Sequence, residues 1–397
     1  MSDAPDLKAR ACAAIDADAE ALVALSHRIH AHPELAFHEV QAAGWLTDYL
    51  GRLGFSVTTP LGSLATAFRA ETGEGGPVIA VLSEYDALPG IGHGCGHNII
   101  ATTAVGAGAG LRAVANELDG TVRIIGTPAE EVYGGKVAMI REGAFDGVDA
   151  AIMTHPSTRD SVQVGALACA ELKVEYIGRE AHASAQPERG VNALEALIIA
   201  FGSINALRQH IKRSARVHGI ITHGGDAPNI VPGYAAGSFL VRAAEDDYLE
   251  ELKARVEGCF DAGAKATGAT LKLTWNENQY AAMNTNGPLA EAHRLNLAAL
   301  GREVPQDDEP RALGSTDMGN VSRIVPGIHP MIAIAPPDAN GHSPQFAEYA
   351  ASEAGDRAVI DGAKALAMTA IDYLTDEGLR TRAREEFERS RMPRPAS

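Results

Sequence analysis

The chain has 397 residues, of which 46% are apolar, and carries a formal charge of −17 at neutral pH. This length permits a large core and favours two domains over one. An acidic surface repels the phosphates of DNA and RNA, so no nucleic-acid partner is expected, while its long-range field mildly favours cationic substrates.

The first 167 residues show helical spacing of apolar residues, followed by short apolar runs that alternate with further helical segments. We predict helices over 7–30, 39–53, 99–118 and 136–142, and strands over 55–59, 65–70, 78–82, 122–125 and 150–153. Strands that alternate with helices predict an α/β sandwich around a mostly parallel sheet.

The pattern changes near Ala168. Strands are predicted over 171–176, 219–223, 235–242 and 270–275, and helices over 191–211 and 247–266. This block is typical of a compact α+β unit. Helical sequence resumes near 288, a strand is predicted over 330–335, and a solvated helix with a frayed end over 376–397. We therefore predict a larger domain formed by 1–167 and 283–397, with an inserted domain over 168–282.

Cysteine usage and the N-terminus predict a reduced, cytoplasmic setting. The four cysteines (Cys12, Cys95, Cys169 and Cys259) are too scattered to suggest a disulfide framework. The N-terminal segment lacks a basic region followed by an apolar one, and no apolar run reaches membrane-spanning length. Neither a signal peptide nor a membrane partner is therefore expected.

Polar residues capable of chemistry cluster where four predicted strands end. The strand over 78–82 is followed by Glu84, Asp86 and the segment GIGHGCGHN; 122–125 is followed by Glu130 and Glu131; 150–153 is followed by His155; and 330–335 is followed by His342. Ligand sites in open α/β sheets lie outside the carboxyl ends of the strands. These side chains are therefore expected to converge.

The donor types at these strand ends predict a metal site. Imidazole, thiolate and carboxylate together suit zinc, and less strongly manganese or cobalt. The glycines of the segment GIGHGCGHN allow a turn that brings Cys95 and His97 to one ion, while His93 either joins them or orients the loop. Motifs of serine hydrolases, helix-borne zinc peptidases, nucleotide-binding proteins and zinc deaminases are absent from the sequence.

Over almost its whole length the chain resembles the di-metal aminoacylase and carboxypeptidase family of metallopeptidase clan MH. The branch is the one with auxin-conjugate and p-aminobenzoyl-glutamate hydrolases. The motifs are, in order, HPEL at 32–35, EYDALP at 84–89, GCGHN at 94–98, PAEE at 128–131, AHAS at 181–184, NIVP at 229–232 and GHSP at 341–344. The stretch GSTDMGNVS at 314–322 is similar to dipeptidases of β-alanyl-lysine-type peptides.

This resemblance implies roles for individual residues of the larger domain. Two divalent ions would be held by Cys95, His97, Glu131, His155 and His342, with Cys95 as a bridge. Glu130 would be the general base, and Asp86 would orient a metal-binding group. Relatives outside this branch carry a His at the position of Glu84, so a metal contact of Glu84 is left open.

The inserted domain resembles the lid and dimerisation domain of the family. The resemblance implies a homodimer in which His182 reaches the active site of the partner subunit and stabilises the tetrahedral oxyanion. Asn229 and Arg242 would bind the carboxylate or another polar end of the substrate, although Arg242 could equally form a salt bridge on the strand surface. His223 lies on the same predicted loop as Asn229 and would shape the pocket.

The function expected from this resemblance is metal-dependent hydrolysis of an amide bond. The substrate would be an N-acyl amino acid, a dipeptide or an aryl-amide conjugate, with a weak preference for cationic or neutral peptides. The alternative is di-metal hydrolysis of another C–N bond, in an aromatic amino, carbamoyl or formimino group. A catalytically silent scaffold would have lost Glu130 or a ligand, and all of them are present in the sequence.

Overall fold

The computed structural model describes residues 3–305, 311–312 and 314–391. The chain divides into two compact units, one formed by Met1–Gly165 together with Met283–Ser397 and the other by Ala166–Ala282. Among the described residues, no helix combines the length and the apolar character that crossing a membrane would require.

The helices and strands are numbered in chain order. The helices are α1 (Ala4–Ala17), α2 (Ala19–Ala31), α3 (Val40–Arg52), α4 (His97–Val114), α5 (Glu130–Tyr133), α6 (Gly135–Arg141), α7 (Ala193–Leu207), α8 (Asp246–Thr267), α9 (Gly287–Ala299), α10 (Met318–Val321), α11 (Pro344–Tyr349), α12 (Glu353–Thr375) and α13 (Glu377–Ser390). The strands are β1 (Ser56–Thr58), β2 (Phe68–Glu74), β3 (Val78–Glu84), β4 (Gly120–Thr127), β5 (Ala150–Ile152), β6 (His155–Ser157), β7 (Val164–Gly165), β8 (Ala168–Ile177), β9 (Arg216–His223), β10 (Tyr234–Ala243), β11 (Thr270–Trp275), β12 (Arg311–Ala312), β13 (Gly327–Ile328) and β14 (Met331–Ala333).

The larger unit is built on a sheet with the strand order β1-β2-β4-β3-β5-β13. The strands β4, β3, β5 and β13 run parallel, whereas β1 and β2 pair antiparallel. Along β3, Val81 belongs to the core that includes α4, and Leu82 belongs to a second core that includes α6. Because both faces are covered, β3 is an almost continuous apolar run. The predicted α/β sandwich with a mostly parallel sheet is confirmed.

Two predicted elements of the larger unit differ from the structure, and a third extends beyond the described residues. The helix predicted over 7–30 is interrupted at Asp18, whose carboxylate accepts a hydrogen bond from the Tyr49 hydroxyl. The strand predicted over 65–70 is displaced towards Glu74, because its antiparallel partner β4 extends to Gly120. The helix predicted over 376–397 is observed as α13, and residues 392–397 lie outside the described residues.

The strand predicted over 330–335 does not join the main sheet. It forms β14, which pairs in parallel with β6, and β13 takes the place beside β5. The expectation of four strand ends at one sheet edge is therefore wrong for this strand. His155 nevertheless lies opposite Met331 in the β6–β14 pair, so the two short strands continue the chain just beyond the end of β5.

The smaller unit is an antiparallel sheet with the strand order β11-β8-β10-β9, packed against α7 and α8. Buried and more exposed residues alternate along β8, as expected for a strand with one face on a core. That core contains Tyr176, Phe239 and Phe260, and the Tyr176 hydroxyl donates a hydrogen bond to the Phe260 carbonyl at 2.7 Å. The predicted α+β class of this region is confirmed.

Candidate metal centre and active site

The parallel strands β3, β4 and β5 end at the same edge of the sheet. Glu84, the last residue of β3, lies opposite Thr127 at the end of β4. Glu130 and Glu131 follow β4 at the start of α5, and His155 follows β5. The geometry of parallel strands thus collects residues that are distant in the sequence.

A glycine turn places Cys95 and His97 at this edge. Gly96 has φ 76°, in the left-handed region, and directly precedes His97, the first residue of α4. A Cβ at this position would lie 2.5 Å from Cγ of Pro156, so both backbone and packing require glycine. The Asn98 side chain fixes the turn by donating to Oγ of Ser26 and to the Ala350 carbonyl, each at 2.9 Å.

Among the described residues, potential metal-ligand atoms form three groups, within each of which all atoms lie within 4.8 Å of one another. The groups are Cys95–His97–His155, Cys95–Glu131–His342 and Glu84–His97–Glu130. Cys95 is shared by the first two groups, so one thiolate could bridge two cations. His97 is shared by the first and the third. The five predicted metal ligands are therefore brought together.

Hydrogen bonds set the ring orientation of His97, which is fully buried, and of His155, which is half-buried. Nδ1 of His97 lies 3.0 Å from Oδ1 of Asp86, whose second oxygen accepts the Glu131 backbone N–H at 2.9 Å. Nδ1 of His155 donates to the Pro156 carbonyl at 2.7 Å. With Nδ1 engaged, each ring presents Nε2 for coordination, and Nε2 of His155 lies 3.5 Å from Sγ of Cys95.

The electrostatics of the site fit a cation. Burial, followed by the neighbouring His97, lowers the pKa of His155 to about 4, which keeps the ring neutral as a ligand must be. Burial and then the Glu131 carboxylate raise the pKa of the Cys95 thiol, so its thiolate needs a positive partner. Nε2 of His97 and Oε1 of Glu131 are buried and have no hydrogen-bond partner within the described part of the chain.

Two predicted site residues depend on strained backbone. Ala129, immediately before Glu130, has φ 62°, and His342 has φ 56°, values that residues other than glycine seldom adopt. The His342 backbone donates to the Gly94 carbonyl at 2.9 Å, which ties this loop to the glycine turn. Its side chain is 58% exposed, and its Nε2 lies 3.6 Å from Oε2 of Glu131. His342 therefore lies on the solvent-exposed side of the Cys95–Glu131–His342 group.

Glu130 has the environment of a general base. Burial, followed by the carboxylates of Glu84 and Asp317, raises its pKa well above the ordinary value. A raised pKa brings a carboxylate closer to the range in which it can both accept and return a proton near neutral pH. The structure therefore places a carboxyl group of raised pKa beside the candidate ligands.

Several residues at the site were not predicted. Lys136 is fully buried; its ammonium group contacts the Glu84 carboxylate and lies 2.6 Å from Oδ1 of Asp317. His329 is 3% exposed, and its ring centroid lies 5.3 Å from that of His155. The sequence signal for Lys136 was its charge at the start of the predicted helix over 136–142, next to apolar residues. Asp317 lies in the motif at 314–322, and no local pattern marks His329.

Glu39, also unpredicted, supports the strained turn before Glu130. The Glu39 carboxylate is fully buried, accepts the Ala129 backbone N–H at 2.9 Å and accepts the Thr66 hydroxyl at 3.0 Å. Burial, the largest influence, together with the Asp86 carboxylate raises the pKa of Glu39 to about 7, despite hydrogen bonds that lower it. Glu39 is thus a positioning residue whose charge is unfavourable in the folded state.

We expect Glu39→Gln to stabilise the protein above pH 7 and to have little effect near pH 4.5. A carboxyl group whose pKa is raised on folding contributes stability at low pH that is lost as the pH rises through the folded-state value. For a pKa of about 4.5 in the unfolded chain and about 7 in the folded protein, the stability lost is about 3 kcal/mol. The measurement is the difference in unfolding free energy between variant and wild type from pH 4.5 to 8. A pH-independent difference would contradict the expectation.

In the smaller unit, His182 lies on an exposed loop after β8. Its Nδ1 accepts the backbone N–H groups of Ser184 and Ala185 at 3.4 Å and 3.3 Å. This arrangement assigns the ring proton to Nε2. The neighbouring Ala183 backbone donates to the Asn229 carbonyl at 3.0 Å. The loop therefore presents an N–H donor next to the segment that carries Asn229.

The predicted substrate-binding residues are not all close together. His223 ends β9 opposite Ala236 of β10, and Asn229 follows on the same exposed connection. Arg242 lies six residues beyond Ala236 along β10, a separation of about 20 Å along the strand. The structure of this unit thus groups His182, His223 and Asn229 at one end and places Arg242 at the other.

Comparison with known proteins identifies the class. The model of Peptidase family M20/M25/M40 matches residues 80–372. The chain therefore belongs to this family, as the motifs predicted, and it is a metal-dependent hydrolase of amide bonds.

Individual relatives match nearly the whole chain. The chain is 41% identical to the Xaa-Arg dipeptidase of Mus musculus, over 96% of this chain and 92% of that protein. It is 30% identical to a p-aminobenzoyl-glutamate hydrolase chain of Escherichia coli (strain K12), over 94% and 93% of the two chains. A dinuclear metal binding peptidase of Bacillus subtilis has a similar fold, with a TM-score of 0.70 and 22% sequence identity. The match covers 90% of this chain and 99% of that chain.

Proposed function

We propose that this chain is a two-metal dipeptidase that hydrolyses dipeptides with a cationic C-terminal residue. The observation that carries the two-metal site is the position of Cys95 in two separate donor groups. The two groups contain His97 with His155 and Glu131 with His342, so each ion receives donors of its own. Thiolate and imidazole favour zinc, with manganese and cobalt as alternatives.

Support for the substrate comes from similarity and charge. The mouse relative, 41% identical, is named for dipeptides that end in arginine, and the motif at 314–322 resembles dipeptidases of β-alanyl-lysine-type peptides. The charge of −17 favours the approach of a cationic peptide. Asn229 and His223 are proposed to contact the substrate; for Arg242 the alternative of a structural salt bridge is kept.

The proposed mechanism uses residues at the edge of the larger sheet. Two bound cations would polarise the scissile carbonyl and lower the pKa of the attacking water. Glu130 accepts a proton from that water and returns it to the leaving amine. Asp86 holds His97 and the Glu131 backbone in place, and the Nε2–H of His182 stabilises the oxyanion.

We further propose that the protein is a cytoplasmic homodimer in which His182 serves the partner subunit. The strand β9 is an edge of its sheet, and Ile220 and Ile221 on it are 65% and 43% exposed. An exposed apolar edge strand is suited to pairing with a second copy. Cys12, Cys95 and Cys259 are free thiols, which is consistent with a reducing compartment.

Removal of the metal is expected to abolish hydrolysis, and zinc, manganese or cobalt to restore it. The purified protein is assayed with Xaa-Arg and Xaa-Lys dipeptides, N-acetyl amino acids, p-aminobenzoyl-glutamate and indole-acetyl amino acids, before and after chelation. We expect the highest kcat/KM for the cationic dipeptides. Because the proposed ligands belong to the protein and the metal does not, activity should return only when a cation is added back.

Two results would contradict the proposal in different ways. Cleavage that resists complete chelation would overturn the metal mechanism. Chelator-sensitive preference for p-aminobenzoyl-glutamate or an N-acyl amino acid would retain the mechanism and replace the substrate class. If none of the amides is cleaved by metal-loaded protein, hydrolysis of an aromatic amino, carbamoyl or formimino group becomes the better hypothesis.

A further inference from the structure

A buried lysine lies against the proposed metal centre. Lys136, in the first turn of α6, is 0% exposed, and its ammonium group contacts the carboxylates of Glu84 and Asp317. The Lys136 backbone N–H donates to the second Asp317 oxygen at 2.8 Å. Asp317 therefore fixes both the backbone and the side chain of Lys136.

The lysine remains charged. Burial alone would lower the pKa of Lys136, but the carboxylates of Asp317, Glu84 and Glu130 raise it by more. Buried ion clusters often contribute less to stability than apolar packing of the same volume, because removing the charges from water is costly. The position of this cluster, in contact with Glu84, indicates a role in the site.

Two of the donor groups compete for the same histidine, His97. The ion pair of Lys136 can decide between them. Nδ1 of His97 is engaged by Asp86, so His97 offers one ligand atom, Nε2. His97 belongs both to the group with Cys95 and His155 and to the group with Glu84 and Glu130, so both groups depend on Nε2. Oε1 of Glu84 lies only 3.2 Å from it. An ion bound to Nε2 of His97 can take its other ligands from either group. If it takes them from the group with Glu84, Glu130 becomes a ligand.

We propose that Lys136, fixed by Asp317, is a positioning residue that reserves His97 for the Cys95–His155 group by holding Glu84 in an ion pair. Glu130 then stays available for proton transfer. This inference rests on the proposed two-metal function and specifies which donors each ion uses. It also explains why a chain with Glu84 beside His97 carries a cation at this point.

Two double variants with equal net charge test the proposal. Lys136→Met with Asp317→Asn leaves Glu84 unpaired, whereas Lys136→Met with Glu84→Gln removes the competing carboxylate. Each protein is chelated and reloaded with cobalt(II), and the thiolate-to-cobalt charge-transfer absorption is measured per bound ion. We expect the first variant to lose about half of this absorption, because Cys95 still serves the Glu131–His342 group, and to lose at least about tenfold in kcat at little-changed KM. The second variant should keep the absorption.

Controls separate this inference from general damage and from failure of the metal proposal. Lys8→Met with Asp372→Asn removes another part-buried ion pair, at 2.6 Å, and should change neither signal. If Lys136→Met with Asp317→Asn does not fold, the single Glu84→Gln variant decides, since it leaves Lys136 paired with Asp317 and should keep both ions and the absorption. A folded Lys136→Met with Asp317→Asn protein that keeps the full absorption, or loss of an ion in Glu84→Gln, would overturn the inference. If the wild-type protein reloaded with cobalt(II) lacked the thiolate-to-cobalt absorption, the proposed metal centre itself would be refuted.

Discussion

Replacing Glu130 by Gln is expected to lower kcat by about 10²- to 10⁴-fold while both metal ions remain bound. Glutamine preserves the shape of the side chain but cannot accept the proton of the attacking water. Glu130 is 9% exposed, follows the strained Ala129, and belongs to the donor group that excludes Cys95. Its carboxylate is thus next to the two Cys95-containing groups without being a member of either.

The neighbouring residue provides the matched control for this prediction. Glu131→Gln changes an adjacent carboxylate in the same helical turn, but one whose oxygens lie 3.7 Å from Nε2 of His97 and 3.6 Å from Nε2 of His342. We expect Glu131→Gln to lose metal as well as activity. Elemental analysis of both variants distinguishes base from ligand: a Glu130→Gln protein that is active, or that has lost an ion, would refute the assignment.

The fold of the larger unit was predictable wherever a local pattern determines the structure. The apolar run at 78–82 predicted the buried strand β3 because a strand covered on both faces needs apolar residues at successive positions. The interruption at Asp18 was not predictable, since it depends on Tyr49, which is distant in the sequence. The pairing of β14 with β6 likewise depends on tertiary contacts that no periodicity reveals.

The metal-donor residues of the candidate site were predictable from the sequence. The charged and polar residues that surround those donors were not. Cys95 and His97 lie within a glycine-rich turn after a strand, a combination with a clear chemical meaning. Lys136 and Asp317 are separated by 181 positions and form an ion pair only in the folded chain. His329 acquires its place beside His155 in the same way. Ligands can therefore be recognised by type and spacing, whereas the residues that orient them require the fold.

Replacing His182 by Ala is expected to lower kcat by about 10²- to 10³-fold, the effect of removing one oxyanion-stabilising donor. The backbone of Ser184 and Ala185 already occupies Nδ1, so Nε2 carries the proton that such a donor needs. Metal content should be unchanged, because His182 lies in the smaller unit and the proposed ligands lie in the larger one. An unchanged kcat would exclude this role.

Mixing two inactive variants tests whether His182 acts across a homodimer. In a dimer of one Glu130→Gln subunit and one His182→Ala subunit, one active site combines an intact Glu130 with an intact His182 from the partner. After unfolding and refolding of an equal mixture, half of the dimers are mixed and each has one such site, so about a quarter of wild-type activity should return. If His182 served its own subunit, every site would carry one defect and no activity would return. Recovery therefore requires both the proposed dimer and the role of His182 in the partner's site.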